Sequence, residues 1–220
     1  MTNFLLNIAF DVDGIQALST TGGSVAILVP QASSQYQVVA VLTAPLMNIQ
    51  VTWSDTLTVY TSSTQLSTNQ VVPINSWESA VLGNAYTFNG SLISSAGAAG
   101  AQSIVQLTNA SGSTITTGLA NTFTVNSQTQ SLAITTAISL LVQGLATFWP
   151  TNDIMVTVMS NAAVGMAVPT YAFPPSSATC DISLAEGVTV QPPITLSFSA
   201  SDATQSITYS DAKGQFEVSS

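Results

Sequence analysis

Side chains that could do chemistry are scarce in this chain. Its 220 residues include no His, one Lys or Arg and one Cys, against ten Asp or Glu, for a net charge of −9. Without imidazole there is no common general base and no nitrogen ligand for a metal. A Ser-His-Asp or Cys-His mechanism is therefore impossible within the chain. Ser-Lys chemistry would need Lys213, which stands in Ser210-Asp211-Ala212-Lys213-Gly214 and reads as a turn between the last two strands. Cys180 has no cation near it in sequence to favour the thiolate, so it reads as a buried structural thiol.

The acids offer little more. Asp11-Val12-Asp13-Gly14 begins like a calcium loop, but Ile15 stands where the next acid belongs and no Glu closes the loop. Two carboxylates at i and i+2 on a strand point to one side. Asp11 and Asp13 are thus a candidate weak cation site, the alternative being a solvated strand end before a glycine turn. The acids at 153, 181, 186, 202, 211 and 217 are scattered, and nothing recommends a glycosidase pair. There is no phosphate-cradling loop and no dinucleotide fingerprint, so no cofactor is expected. These absences point away from an enzyme.

Binding chemistry is better represented. Trp53, Trp77 and Trp149 each lie beside neutral polar groups. An aromatic ring next to amides and hydroxyls can form a platform for a sugar. Trp53 alternates in phase with Ile49 and Val51, and Trp149 follows Leu145 and Phe148, so both are expected in the core. Trp77, in the turn-like stretch Pro73-Ile74-Asn75-Ser76, is expected to be accessible. Trp77, Asn75 and Ser76 form the candidate carbohydrate-binding set.

The elements that must position these residues read as strands. Charged residues are 5% of the chain and hydrophobic residues 46%. An ordinary domain has about a quarter charged. Ser, Thr, Asn and Gln stand in for the missing charge, and from residue 79 to 152 there is none at all. Disordered chains pair low hydrophobicity with high charge; this chain does the opposite. Period-two alternation marks Phe4–Phe10, Val25–Val29, Ile49–Trp53 and Leu57–Tyr60, with Val38–Leu42 as one strand buried on both faces. Later strands fall at 104–107, 115–119, 123–125, 132–140, 154–159, 188–190, 194–198 and 207–209, separated by Gly, Pro, Asn and Ser clusters. Pro192-Pro193 marks a strand entrance. No long helix is expected. The fold class is all-β, an antiparallel β-sandwich of two packed sheets with Greek-key-like connections. Residues 1–220 read as one domain, with the small-residue stretch 94–101 as a loop or the place for a division into two lobes.

The same composition sorts the partners. One cation against a polyanion supplies no counterion release, so nucleic acid is disfavoured, as are anionic membranes. The N-terminus lacks a basic region before its apolar run, which argues against a signal peptide. A single Cys is compatible with the cytoplasm. Two glycosylation triplets, at Asn89 and Asn109, carry little weight in so Ser/Thr-rich a chain. Edge strands without lysine lack the usual guard against pairing with other chains. The expected function is a non-enzymatic self-assembling structural or storage protein, such as an inclusion, crystal, filament or coat subunit, whose partner is itself. A lectin-like carbohydrate module is the alternative. A β-pore-forming protein, using the charge-free tract, is the third reading.

Overall fold

The computed structural model describes residues 2–30, 34–173, 182–184 and 187–219. In chain order, β1 (Asn3–Ala9), α1 (Val12–Thr21), β2 (Gly23–Leu28), β3 (Tyr36–Val38), β4 (Val41–Thr43), β5 (Asn48–Ser54) and β6 (Leu57–Ser62) open the fold. Then come β7 (Ser76–Ala80), β8 (Asn84–Phe88), β9 (Ile93–Ala98), β10 (Val105–Asn109), β11 (Ile115–Val125), β12 (Gln128–Ile134), β13 (Ile138–Leu140) and β14 (Leu145–Phe148). β15 (Asp153–Ser160), β16 (Ala167–Pro169), β17 (Ile182–Ser183), β18 (Thr189–Val190), β19 (Ile194–Ser197), β20 (Thr204–Ser210) and β21 (Gln215–Val218) complete it.

The architecture is all-β and sandwich-like, and it is not a closed barrel. One sheet runs β21-β20-β1-β5-β11-β6-β7, with β12 and β13 also paired to β11. A second runs β17-β18-β15-β2-β4, with β19 on β15. Most neighbours are antiparallel; β1 with β20 and β8 with β10 are parallel. The two sheets enclose one core. Phe4, Leu6 and Ile8 on β1 meet Val25 and Ile27 on β2 and Ile154, Val156 and Val158 on β15. β2 and β15 are apolar on both faces because the other face is covered too, by Val39, Met166, Val168 and Val190 among others. That double cover explains their continuous hydrophobic runs.

A four-stranded sheet, β14-β10-β8-β9, stands apart from this pair. It has its own core, in which Tyr86, Phe88, Val105, Leu107 and Phe148 pack on Val59, Leu119 and Ile115 of the large sheet. All four of its strands come from the tract without charge.

Several sequence expectations change. Residues 12–21 form a helix, not a strand end with a glycine turn. The Asp11 carboxylate accepts from Gly14 N at 2.7 Å as the N-cap. Gly22 closes the helix in the left-handed region at φ 68°, its N–H reaching Leu18 O and Ser19 O. The signal was weak because Gly14 replaces the Glu or Gln of a capping box. Residues 94–98 are strand rather than loop: β9 pairs with β8 along its length, with a bulge between Ser95 and Gly97. Val38–Leu42 is two strands, since Tyr36–Val38 pairs with β16 and Val41–Thr43 with β2. The 132–140 stretch likewise breaks between β12 and β13. Trp149 is 61% exposed rather than in the core, because Phe148 takes the inward position and its neighbour must face out. Cys180 lies outside the described residues, as do Asp181 and Glu186.

Candidate functional site

Where the 134–136 segment, the β5–β6 hairpin and the lead into β15 converge, a cleft of about 220 Å³ opens. Trp53, Phe123, Asn121, Asp55, Thr136 and Asn152 are among its walls, and Leu82 of the β7–β8 connection stands at its side. Trp53 is in the core, as its alternation predicts, yet its ring also borders this cleft. Three rings hold it in place: Phe198 edge-on at 4.8 Å, Phe4 at 5.5 Å and Phe123 at 5.9 Å. Its indole N–H has no acceptor among the described residues.

Asn121 sits at an irregularity in the β11–β12 pairing, where the register shifts between Asn121 and Phe123. Opposite the shift, Leu132 adopts φ 56°, a costly conformation for a bulky side chain. The Asn121 amide donates to Ser54 O at 2.9 Å, and its carbonyl accepts from Thr122 N at 2.7 Å. The wall beyond is sewn tightly. Thr135 Oγ1 donates to Leu119 O at 3.0 Å, and Leu119 N donates to Thr136 Oγ1 at 2.7 Å. The Tyr60 hydroxyl donates to Thr136 O at 2.8 Å. Tyr60 is fully enclosed, and burial pushes its phenol far above the ordinary range. Among the described residues Asp55 is the one charged residue in the lining; its carboxylate accepts from Thr2 N at 3.0 Å.

A second feature is the surface of the small sheet. β9 is an edge strand, and Ser94 to Ala98 are exposed along it. At one end of the sheet, buried Asn109 ties two loops together. Its amide donates to Ser113 O at 2.9 Å and to Leu141 O at 3.1 Å, and its carbonyl accepts from Ser111 Oγ at 2.6 Å. Leu92, Leu141 and Leu145 project around that end, 66%, 69% and 58% exposed. No charged side chain occurs in the sequence of this sheet or its loops.

The residues singled out from sequence fall in different places. Trp77 is 53% exposed on edge strand β7. Asn75 stands just before it, but its carbonyl oxygen already accepts from Ser63 N at 2.7 Å and Ser63 Oγ at 3.0 Å. Ser76 is half-buried and pairs with Thr61. None of the three borders the cleft. Asp11 is committed to capping and Asp13 lies in the first helical turn, so the strand geometry that put both carboxylates on one side is absent. Among the described residues no group of three or more His, Cys, Asp or Glu could hold a metal ion. Lys213 sits in the expected turn, ion-paired with Glu217. Asn109 of the second glycosylation triplet is fully buried. The cleft itself was missed, because in-phase alternation places Trp53 inside without saying that one side of the core is open.

The site thus belongs to a sandwich-like all-β protein with a cleft that carries one carboxylate and an exposed sheet that carries no charge. Comparison with protein-family models, with curated proteins and with solved structures gave no match.

Proposed function

We propose that the chain is a non-enzymatic self-assembling structural or storage protein, and that copies meet through the small sheet. The observation that carries this reading is the exposed edge β9, at the margin of a sheet that also displays Leu92 and Leu141 in its loops and Leu145 at the start of β14, without one charged neighbour in sequence. Natural sheets guard their edges with lysine, proline or inward charge. β9, with the sequence ISSAGA, has only a bulge. Ser and Ala surfaces lose less side-chain entropy on ordering than Lys or Glu surfaces. Aliphatic side chains gathered at one end add apolar area for a contact to bury. Light scattering coupled to gel filtration tests the proposal. The native chain should elute as multimers that grow with loading, and Ser94→Lys with Ala96→Lys should elute as monomer. A native chain that stays monomeric at every loading would reject it.

A carbohydrate-binding role is the second reading. Exposed Trp77 favours it, although the commitment of Asn75 to Ser63 leaves that platform with fewer free polar groups.

A further inference from the structure

We infer that the cleft beside Trp53 is a binding site for a small neutral hydroxylated ligand of the monosaccharide class. This does not rest on the assembly reading, and it places the site away from Trp77. The polar groups in the cleft are complementary to hydroxyls. The Trp53 indole N–H has no acceptor among the described residues, and the Asn121 amide uses one bond, to Ser54 O. Asp55 Oδ2 accepts from Thr2 N, and no bond is made by Oδ1 among the described residues. The site therefore offers donors and acceptors together, which is what a sugar hydroxyl, itself both donor and acceptor, satisfies. The exposed edge of Trp53, with Leu57 and Leu82, supplies the apolar wall that a sugar's C–H face requires.

Charge narrows the choice. Among the described residues the lining contains a carboxylate and no cation, which disfavours an anionic ligand. An extended apolar ligand would leave the Asn121 and Trp53 N–H groups without acceptors. Preorganisation points the same way. Three rings fix Trp53, and Leu132, left-handed within β12, sits opposite the irregularity at Asn121. Bulges and left-handed bulky residues cluster where a side chain is re-aimed for a task.

The test uses the full chain with Trp77→Phe and Trp149→Phe, so that Trp53 is the only reporter. Its fluorescence is titrated with glucose, galactose, mannose and N-acetylglucosamine. The expected result is a saturable change with at least one of them. Asp55→Ala, an exposed position, should weaken that response about ten- to a hundredfold, as loss of a hydrogen bond to a charged acceptor does. Leu82→Phe, which crowds the cleft without adding a tryptophan, should abolish it. A linear response to every sugar would overturn the proposal. So would a saturable response that survives both Asp55→Ala and Leu82→Phe, since the ligand would then be elsewhere.

Discussion

Gly118 on β11 faces the carbonyl of Thr136 so closely that a Cβ built there would lie 1.9 Å from Thr136 O and 2.8 Å from Thr136 Oγ1. Real Cβ atoms essentially never come within 3.0 Å of another heavy atom, so Gly118→Ala must drive the 135–136 backbone back by about 1 Å. That segment has little freedom to retreat. It is held by Tyr60 Oη on Thr136 O, by Leu119 N on Thr136 Oγ1, and by Thr135 N and Oγ1 on Leu119 O. Overpacking costs about 1–3 kcal/mol. Losing two of these buried bonds adds about 1 kcal/mol each. The stiffer unfolded chain of an alanine returns about 0.5–1 kcal/mol. The net expectation is a loss of about 2–4 kcal/mol. Urea unfolding followed by Trp53 fluorescence in the Trp77→Phe, Trp149→Phe background measures it. Gly112→Ala, whose Cβ would meet nothing within 4 Å, is the control and should stay within about 0.5 kcal/mol of the parent. A Gly118→Ala protein as stable as the control would refute the close approach and the tight cleft wall built on it.

Three further outcomes are expected. Asp11→Ala should cost about 1 kcal/mol by removing the cap on α1, read from urea midpoints, while Asp13→Ala should cost less because among the described residues no bond to its carboxylate anchors the turn. Tyr60 has a folded pKa raised above its ordinary value of 10.0. Its contribution is therefore complete below about pH 10 and is lost above it, where only the unfolded chain releases the proton, by about 1.4 kcal/mol per pH unit. Tyr60→Phe should flatten that alkaline decline in urea titrations while costing about 1 kcal/mol near neutrality. Acrylamide should quench two of the three tryptophans strongly and the third weakly, and Trp149→Ala should leave stability within about 0.5 kcal/mol, whereas Trp53→Ala should cost about 3–5 kcal/mol.

The sequence made some of this legible and left the rest hidden for physical reasons. Phe4, Leu6 and Ile8 alternate, and β1 buries those three side chains. Pro192-Pro193 precedes β19, and the Lys213 turn separates β20 from β21. Alternation is a local property, so strands with one covered face declare themselves. The helix did not, because α1 buries only Gly14 and Leu18, too few residues for a 3.6-residue period to show. β9 did not, because Ser, Ala and Gly carry no β preference; pairing with β8 and the burial of Ile93 make it a strand. Long runs were cut by partners that no local pattern reveals, as when β3 and β4 pair with different sheets. Trp77 was expected outside and is exposed, while Trp149 was expected inside and is not, since one residue of phase decides the face. The Trp53 cleft depends on segments meeting from 29, 53–57, 82, 119–123, 135–136 and 150–154, a convergence that only the fold supplies.

The central claim is that a neutral sheet edge brings copies of this chain together, and sedimentation velocity over a wide concentration range tests it most directly. The account predicts a sedimentation coefficient that climbs with concentration, is not lowered by salt because the contacts are uncharged and salt screens the repulsion between copies of net charge −9, and stops climbing in the Ser94→Lys, Ala96→Lys variant. A single monomer boundary at every concentration, or association that salt abolishes and the two lysines leave untouched, would contradict it.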